Sequence, residues 1–369
     1  MTTTPERAHA RVDLEALRHN ARLLAGAAGP ARLMAVVKAD GYGHGAVASA
    51  RAALEGGATW LGVHTAGEAE ELREGGVEAP VLVLGPITGG EWARAAAARA
   101  EVAAWAEPGL RAAVAAGVPG IHIKVDTGMG RLGAVPADVP GLAGLAASLG
   151  APVTGVMTHF ATADETEGPN AGFMREQLIR FRSTVRQVKE RFPDALVHAA
   201  NSAAALREAD ARLDMVRCGI ALYGCSPFGD DPVARGLRPV MTWMSAVASI
   251  KTVHSRDSVG YGRTWRAARG TRIGLVPVGY ADGYARCLGN RAHVLVAGRR
   301  VPVVGTVSMD QLTVDLGPES TEEVGAPVVL MGADGDERIT AEELAGLRGT
   351  ISYEVVCGVG RRIPRVPVE

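Results

Sequence analysis

The sequence feature that most constrains the fold is a regular alternation of short apolar runs and helical stretches over residues 1–235. Stretches rich in Ala, Leu and Arg with helical spacing separate the runs, for example 13–24, 68–74, 91–100 and 173–192. Strands that alternate with helices indicate parallel βαβ units. Eight such runs favour a closed (β/α)8 barrel over an open doubly wound sheet. The eight runs are 33–37, 60–64, 81–84, 102–105, 121–125, 153–158, 196–199 and 215–216.

The pattern changes after the Pro-, Gly- and Asp-rich stretch 226–239. Apolar runs then follow each other closely, separated by turns, and only 341–347 has helical spacing. These runs are 243–253, 272–278, 293–296, 301–304, 312–316 and 328–331. The sequence therefore predicts an α/β protein with two domains. A TIM-like (β/α)8 barrel covers residues 1–235, and a mostly antiparallel β domain covers residues 236–369.

Composition excludes several classes of protein. The chain has 39 basic and 40 acidic side chains, a formal net charge of −1, which argues against a nucleic-acid-binding protein. An apolar content of 47% is enough to build a core and argues against disorder. The longest stretch without charge, 139–163, is interrupted at Gly150-Ala151-Pro152, so we expect a short helix and a buried strand there and no membrane span.

The four cysteines, Cys218, Cys225, Cys287 and Cys357, include no CxxC pair and form no zinc-binding pattern. We therefore expect reduced thiols and no metal site. The first residues contain no apolar segment typical of a secretion signal. Both observations favour a cytoplasmic protein.

Polar side chains follow the ends of the predicted barrel strands, where a barrel of this kind carries its active site. Lys38 comes directly after the first run and precedes a Gly-rich turn, so a partly desolvated amine there could capture a carbonyl as a Schiff base. An ordinary lysine that reaches solvent is the alternative at this position. The loops after runs seven and eight are better placed to bind a phosphate than the Gly-rich turn. The strand-end set is Lys38, Lys124, Arg131, His159, Asn201, Ser202 and Arg217, with Gly219 and Ile220 next to Arg217.

With these residues assembled, the chain resembles bacterial alanine racemase, a fold-type III pyridoxal-phosphate enzyme, along nearly its whole length. Eight segments carry the resemblance, in the order of the family and across both predicted domains. They are AVVKADGYGHGA (35–46), HIKVDTGMGRLG (122–133), GVMTHFATAD (155–164), ANSAA (200–204), VRCGIALYG (216–224), VGYGRTW (259–265), VGYADGY (278–284) and GTVSMDQLTVD (305–315).

The resemblance implies two catalytic residues. Lys38 would hold pyridoxal phosphate and, once released, act as the acid and base for the D-enantiomer. Tyr261 would be the base for the L-enantiomer, since racemisation by two bases needs a group on each face of a planar carbanion. The tyrosine of the family reaches the cofactor of the other subunit, so a homodimer with shared active sites is implied.

The resemblance also assigns roles around the cofactor and the substrate. Arg217 would hydrogen-bond the pyridine nitrogen with support from His159. Arg131 would bind the substrate carboxylate, oriented by Lys124 if that lysine is carbamylated. From the other subunit, the backbone N–H of Met309, together with Asp310, would complete the carboxylate side. The remaining implied contacts are Tyr42, Asn201, Ser202, Gly219, Ile220 and Tyr353 for the cofactor, Tyr280 with Tyr353 at the entrance, and Arg286 beside the catalytic tyrosine.

Three positions in these segments depart from the family pattern. Cys218 stands where proline is commoner, Gly260 replaces the usual serine, and Thr306 stands where arginine is frequent. None of them is a predicted catalytic group. Gly260 could loosen the backbone of Tyr261, because glycine is conformationally permissive.

The resemblance predicts interconversion of L- and D-alanine, which would supply D-alanine for peptidoglycan. The first alternative is a racemase of another or broader substrate range, such as serine. A second is a decarboxylase of basic amino acids with the same barrel; the sequence has no match to its substrate-binding cysteine motif. A third is a non-catalytic pyridoxal-phosphate carrier, generally a single barrel, against which the β domain and Tyr261 count.

Overall fold

The computed structural model describes residues 7–369, and the chain forms two compact units. Leu17–Leu222 make one unit; residues 7–16 together with Tyr223–Glu369 make the other. The division therefore falls earlier than the predicted boundary at 235/236, and the N-terminal residues join the second unit because their strand pairs there. Residues 1–6 of the predicted barrel domain lie outside the described part of the chain.

The first unit is a closed barrel of eight parallel strands. Each strand overlaps one of the eight predicted runs, and pairing between the first and last strands closes the ring. The fold class predicted from the alternation is confirmed. The strands are β2 (Arg32–Val36), β3 (Trp60–Val63), β4 (Val81–Val83), β5 (Glu101–Ala104), β6 (Ile121–Lys124), β7 (Val153–Met157), β8 (Leu196–His198) and β9 (Met215–Cys218).

Helical segments connect the barrel strands. The stretch without charge forms a short helix followed by the buried strand β7, as expected. Among residues 7–369, no helix combines the length and the apolar character that a membrane span requires. The α-helices are Leu14–Ala28, Ala46–Glu55, Ala66–Glu74, Glu91–Ala97, Glu107–Ala116, Val139–Ser148, Phe173–Lys189 and Ser202–Arg207.

The second unit is built on a seven-stranded sheet. Its order is β16-β15-β18-β10-β1-β20, with β19 paired to β18. The strand β1 runs antiparallel to β10 and parallel to β20, which ties both ends of the described chain into this sheet. The strands are β1 (Ala8–Asp13), β10 (Met241–Ala246), β15 (His293–Val296), β16 (Arg299–Pro302), β18 (Pro327–Asp334), β19 (Glu337–Ile339) and β20 (Arg365–Val368).

Two smaller sheets complete the unit, and the predicted, mostly antiparallel architecture is confirmed. One has the order β11-β14-β17 and the other pairs β12 with β13. Their strands are β11 (Ser249–Val253), β12 (Ser258–Val259), β13 (Trp265–Arg266), β14 (Thr271–Val276) and β17 (Leu312–Gly317).

The structure differs from the sequence prediction at two places in this unit. The predicted run 243–253 is two strands, because β10 pairs with β18 and the chain then turns so that β11 pairs with β14. A helix at Ser352–Cys357 accompanies the predicted one, which forms Ala341–Arg348, so the prediction of one helix is wrong. The second helix is too short and too rich in Val to give a helical pattern.

Candidate active site

Lys38 follows β2 and begins an unusual turn. Ala39, Asp40, Gly41 and Tyr42 all have φ between 52° and 60°, so the chain makes a left-handed helical turn directly after the lysine. Three of these residues are not glycine, and each costs on the order of 1–2 kcal/mol in that conformation. Strain of this size persists only when surrounding contacts hold it.

The contacts that hold the turn come from two carboxylates. The backbone N–H of Ala39 donates to Glu68 Oε1 (2.7 Å), and that of Ala46 donates to Asp40 Oδ1 (2.9 Å). Glu68 Oε2 also accepts from the N–H groups of His64 (2.6 Å) and Thr65 (3.1 Å). Glu68 is therefore a site residue that sequence reasoning missed. Its signal was the T-x-x-E capping box that begins the helix Ala66–Glu74.

Four cations meet at this end of the barrel. Burial, followed by the charges of Arg217, Arg131 and Lys38, lowers the pKa of Lys124 to about 8. Burial and the same set of charges hold the pKa of His159 well below its usual range. The predicted residues Lys38, Lys124, Arg131, His159 and Arg217 are thus neighbours. A site with this excess of positive charge suits an anionic ligand.

Arg217 is held in place by four hydrogen bonds. It is buried, and its Nη2 donates to the carbonyls of Thr158 (2.7 Å) and Ala199 (3.0 Å) and to His159 Nδ1 (3.2 Å). Its Nη1 donates to His198 Nδ1 (3.0 Å). Burial lowers the pKa of Arg217 to about 10, so the guanidinium stays protonated at neutral pH and can only donate.

Arg131 lies on a loop between β6 and the next helix. Asp126 Oδ1 organises that loop by accepting from the N–H groups of Gly128 (2.9 Å) and Gly130 (3.1 Å). The chain then folds back so closely that a Cβ on Gly133 would lie 2.4 Å from the backbone nitrogen of Asp126. The exposed Arg131 therefore lies on a loop whose backbone is held by defined contacts.

A small polar cradle lies between β8 and β9. Ser202 Oγ is buried and accepts from the N–H groups of Gly219 (3.0 Å) and Ala221 (3.4 Å). A Cβ on Gly219 would lie 2.4 Å from Tyr42 Oη, so only glycine leaves room for that hydroxyl. Asn201 caps the helix Ser202–Arg207 by accepting from the N–H of Ala204 (3.0 Å). Hydroxyls and backbone N–H groups in this arrangement are typical of a phosphate site.

The other predicted residues lie on the β unit, and Tyr261 is one of the exposed residues among them. Its side chain is 72% exposed, a high value for a large aromatic residue. The preceding Gly260 has φ of 78°, which favours glycine. The carbonyl of Tyr261 accepts a hydrogen bond from Thr306 Oγ1 (3.0 Å), so the segment that follows Gly305 helps to position the tyrosine.

The same segment carries the next predicted residues. The N–H of Tyr280 donates to the carbonyl of Ser308 (3.0 Å), and Met309 accepts from the N–H of Ala281 (2.9 Å). Asp310 accepts from Arg362 Nη1 (2.8 Å). These backbone pairs place Tyr280, Met309 and Asp310 side by side, with Tyr280 and Met309 exposed.

Arg286 and Tyr353 complete the predicted set on this unit. Arg286 is exposed at the start of the turn Arg286–Leu288, and Tyr353 is half-buried in the helix Ser352–Cys357. Near Tyr261, the side chain of Thr306 donates a hydrogen bond to the backbone carbonyl of the tyrosine. In addition to Glu68, Thr306 is therefore a site residue that the sequence did not predict; it was noted only as a departure from the family pattern.

Comparison with known proteins identifies the family. The family model described as alanine racemase, N-terminal domain, matches residues 12–227, and the one described as alanine racemase, C-terminal domain, matches residues 240–367. The chain belongs to the alanine racemase family. This confirms the resemblance and the enzyme class, an isomerase, that the sequence predicted.

Relatives and solved structures agree over the full length. An alanine racemase from Symbiobacterium thermophilum is 46% identical, and the match covers 96% of each chain. The crystal structure of the alanine racemase from a D-cycloserine-producing Streptomyces lavendulae has a TM-score of 0.94 at 40% identity and covers 100% of this chain and 98% of its own. The alanine racemase of Streptomyces coelicolor has a TM-score of 0.93 at 42% identity, with 98% of both chains covered.

Two departures from the alanine racemase pattern acquire a structural context. Cys218 is buried at the end of β9, and burial raises the pKa of its thiol to about 12, so it stays a neutral small side chain. Thr306 reaches the backbone of Tyr261 through its hydroxyl. Across residues 7–369, no cluster of three or more His, Cys, Asp or Glu side chains could hold a metal ion.

Proposed function

We propose that the protein interconverts L- and D-alanine in a homodimer with pyridoxal 5'-phosphate as cofactor. The observation that supports this most is the meeting of four cations and a hydroxyl-lined cradle at the carboxyl end of the barrel of an alanine racemase family member. An anionic, carbonyl-bearing ligand with an aromatic nitrogen matches these groups. In a bacterial cytoplasm, the product would supply D-alanine for peptidoglycan.

The residues present fit this cofactor. The cradle offers the hydroxyls of Ser202 and Tyr42 to a phosphate, and the N–H of Gly219 would exchange Ser202 Oγ for the phosphate as its acceptor. Ile220 and Tyr353 are the further contacts that we propose there. Lys38 supplies the amine that holds the cofactor. When bound, the cofactor withdraws electrons from the substrate's Cα and so acidifies its proton.

Arg217 would face the ring nitrogen as a donor. Because its pKa of about 10 keeps the guanidinium protonated, it can donate a hydrogen bond there but does not transfer a full proton at neutral pH. The weaker electron withdrawal that results makes removal of the Cα proton harder. The reaction then depends on bases that are well placed on both faces of Cα.

Lys38 and Tyr261 are the two bases that we propose. From L-alanine, the phenolate of Tyr261 takes the Cα proton on one face, and the ammonium of Lys38 returns a proton on the opposite face. From D-alanine, Lys38 takes the proton and Tyr261 returns one. Tyr261 would act across the dimer, on the site of the partner subunit, which agrees with its 72% exposure in the single chain.

Arg131 and the backbone N–H of Met309 would bind the substrate carboxylate, with Asp310 beside Met309. Guanidinium and carboxylate match as a planar two-point pair. Tyr280 and Tyr353 would narrow the entrance and favour a small side chain, and Arg286 would lie near Tyr261. Turnover across a panel of L-amino acids tests this: a serine rate equal to that of alanine would favour the broader-range alternative.

We also propose that Lys124 is carbamylated. A pKa of about 8 leaves about one tenth of the amine neutral at pH 7, and the neutral amine is the form that reacts with carbon dioxide. The carbamate would turn a fourth cation into an anion beside Arg131. Intact-mass analysis with bicarbonate should show the added CO2 on Lys124; a bare amine would refute the proposal.

Mixing two inactive variants tests the shared site. Lys38→Ala and Tyr261→Phe homodimers should each lose most activity, because every site lacks one base. Refolded together, they form mixed dimers in which one site has both defects and the other has none. Random pairing should therefore restore about one quarter of wild-type activity. A mixture that stays as inactive as its components would show that Lys38 and Tyr261 do not act across subunits.

A further inference from the structure

A chain of polar side chains crosses the barrel from one end to the other. Glu101 is the first residue of β5, His122 the second of β6, His198 the last of β8 and Arg217 the third of β9. In a parallel barrel, these positions ascend from the amino end of the strands to the carboxyl end, where the candidate active site lies. The chain therefore connects Arg217 with a carboxylate far from the cofactor site.

Each step of the chain is a hydrogen bond. Glu101 Oε2 lies 2.9 Å from His122 Nε2, and His122 Nδ1 lies 2.7 Å from His198 Nε2. His198 Nδ1 lies 3.0 Å from Arg217 Nη1. His122 and His198 are fully buried, and Trp60 packs edge-on against His122. Polar groups in such a core are costly unless every one is bonded, so the chain is stable only when it is complete.

Two glycines in the barrel make room for the chain. A Cβ on Gly155, in the middle of β7, would lie 2.3 Å from His122 Nδ1. A Cβ on Gly120 would lie 2.4 Å from the carboxylate of Glu101. Glycine weakens a strand and often marks a close approach of another group. At Gly155, the weaker strand accompanies the close approach of the His122 imidazole.

The positions of the protons follow from Arg217. A guanidinium can only donate, so His198 Nδ1 must accept and the proton of a neutral His198 lies on Nε2. His198 Nε2–H then donates to His122 Nδ1, which leaves the proton of His122 on Nε2. His122 Nε2–H donates to Glu101. One arrangement of protons satisfies all three contacts, with both histidines neutral and protonated at Nε2.

The surroundings favour the same arrangement. Burial, together with the charge of Arg217, holds the pKa of His198 well below its usual range, so this ring is neutral. Burial raises the pKa of Glu101, but the hydrogen bond and the charge of His122, followed by the hydrogen bond from Thr154, outweigh it and lower that pKa overall. The charge of His122 acts only when that ring is protonated, so the neutral arrangement keeps the two hydrogen bonds. A cationic His122 would donate from Nδ1 and force a proton onto His198 Nδ1, directly against Arg217 Nη1. The carboxylate therefore ends the chain as an acceptor only.

We propose that Glu101 is a positioning residue for Arg217, acting through the fixed tautomers of His122 and His198. Because Glu101 can only accept at the end of the chain, His198 Nδ1 stays unprotonated and accepts from Arg217 Nη1. This hydrogen bond would fix the orientation of the guanidinium toward the cofactor. This role rests on the proposed function for its consequence in catalysis. The proton arrangement itself does not depend on any bound ligand.

The test uses the full-length protein without cofactor, labelled with 15N at histidine and arginine. In the wild type, the 15N signals of the His122 and His198 rings should both show protonation at Nε2. Glu101→Leu removes the acceptor, and a population protonated at Nδ1 should appear at His122 and His198. Exchange of the Arg217 guanidinium protons should accelerate about 10-fold, the loss expected for one buried hydrogen bond. The dissociation constant for pyridoxal phosphate should rise by a similar factor.

Two matched variants separate positioning from a general loss of packing. Glu101→Gln keeps an oxygen that accepts from His122, so both tautomers should stay as in the wild type and cofactor affinity should change less than about 3-fold. Thr154→Val removes a hydroxyl that donates to the same carboxylate (2.5 Å) and should also leave the tautomers unchanged. Protonation of His198 at Nδ1 in the wild type would overturn the proposal. Tautomers that are identical in Glu101→Leu and Glu101→Gln would also overturn it, whether or not the protein racemises alanine.

Discussion

The two units present their candidate functional residues in opposite ways. In the barrel, Arg217 is 4% exposed and makes four hydrogen bonds within its own unit. In the β unit, Tyr261 is 72% exposed and Met309 54%. The barrel residues are therefore positioned by their own unit. The β-unit residues have backbone hydrogen bonds around them, but most of the surface of their side chains is exposed in the single chain.

The energetic cost also differs between the two units. The barrel holds four neighbouring cations and a left-handed turn of residues that are mostly not glycine, and both features oppose folding. Around Tyr261, Gly260 takes a φ of 78° and Arg263 is the non-glycine residue with positive φ (51°), whereas the barrel turn contains three such residues. Substitutions in the barrel site should therefore change stability as well as activity, whereas those around Tyr261 should change activity alone.

Tyr261→Phe should give the largest effect and tests the β-unit side of this contrast. The kcat/KM for racemisation should fall by about 10²–10⁴-fold, the usual contribution of a general base. The kcat/KM values of the two directions must fall equally, because the enantiomers have the same free energy. Exchange of the Cα proton with deuterated water separates the faces: D-alanine should still exchange through Lys38, and L-alanine should not. The melting temperature should not change.

Tyr284→Phe is the matched control for this experiment. Tyr284 lies in the same unit, is buried against Trp243, and within residues 7–369 its hydroxyl has no hydrogen-bond partner. Removing that hydroxyl should leave racemisation and both exchange rates unchanged. If L-alanine still exchanged in Tyr261→Phe at the rate of the control, Tyr261 would not be the second base.

Glu68→Ala tests the barrel side. The variant removes the carboxylate that accepts from the N–H groups of Ala39 and, in the capping box, of Thr65, so the strained turn after Lys38 loses its anchor. We expect a loss of about 2 kcal/mol in the free energy of unfolding, together with reduced activity. Urea denaturation and steady-state kinetics measure the two effects.

Glu70→Ala, in the same helix, is the control for Glu68→Ala. Glu70 forms an exposed ion pair with Arg94, and such pairs contribute little in water. The unfolding free energy and the activity of Glu70→Ala should stay close to those of the wild type. Equal losses in the two variants would mean that Glu68 acts only as part of the helix and not as a support for Lys38.

The sequence predicted most of the secondary structure of the two units and fewer of the contacts that support the site. Periodic apolar runs predicted all eight barrel strands, because each is buried on both faces and bounded by turns. Glu68 was missed because its contact with Ala39, 29 positions away, exists only in the fold, whereas its contact with His64 is local and belongs to an ordinary helix start. The chain Glu101-His122-His198 was missed for the same reason: no two of its members are close in sequence. The short helix Ser352–Cys357 depends on tertiary packing and left no periodic signal.

Lys124→Met probes the repulsion among the barrel cations through pH. The pKa of Lys124 in the folded protein is about 8, below its ordinary value of 10.5. Between these two values the unfolded chain binds more protons, so the unfolding free energy of the wild type rises with pH. Lys124→Met lacks this contribution. It should be more stable than the wild type by on the order of 1–2 kcal/mol at pH 7, and the difference should shrink between pH 8 and 10.5.

Urea denaturation at pH 7 and pH 10 in buffer free of bicarbonate measures this effect, since a carbamate would alter the charge of Lys124. Lys251→Met, at an exposed strand position in the β unit, is the control and should show no difference that depends on pH. A Lys124→Met variant that gains nothing at pH 7 would show that the barrel cations are already compensated without a ligand.

Thr306→Ala should give the smallest effect and bears on how firmly the β unit holds its base. The substitution removes the hydroxyl that donates to the carbonyl of Tyr261. The backbone conformation at Gly260 and Gly305 should remain unchanged. One hydrogen bond at an exposed site predicts a loss of about 3- to 10-fold in kcat/KM, without a change in melting temperature. Thr306→Ser keeps the donor and should restore the wild-type rate. If Thr306→Ala instead lowered the melting temperature together with kcat/KM, the exposed face of the β unit would resemble the barrel, in which the site and the fold depend on the same contacts.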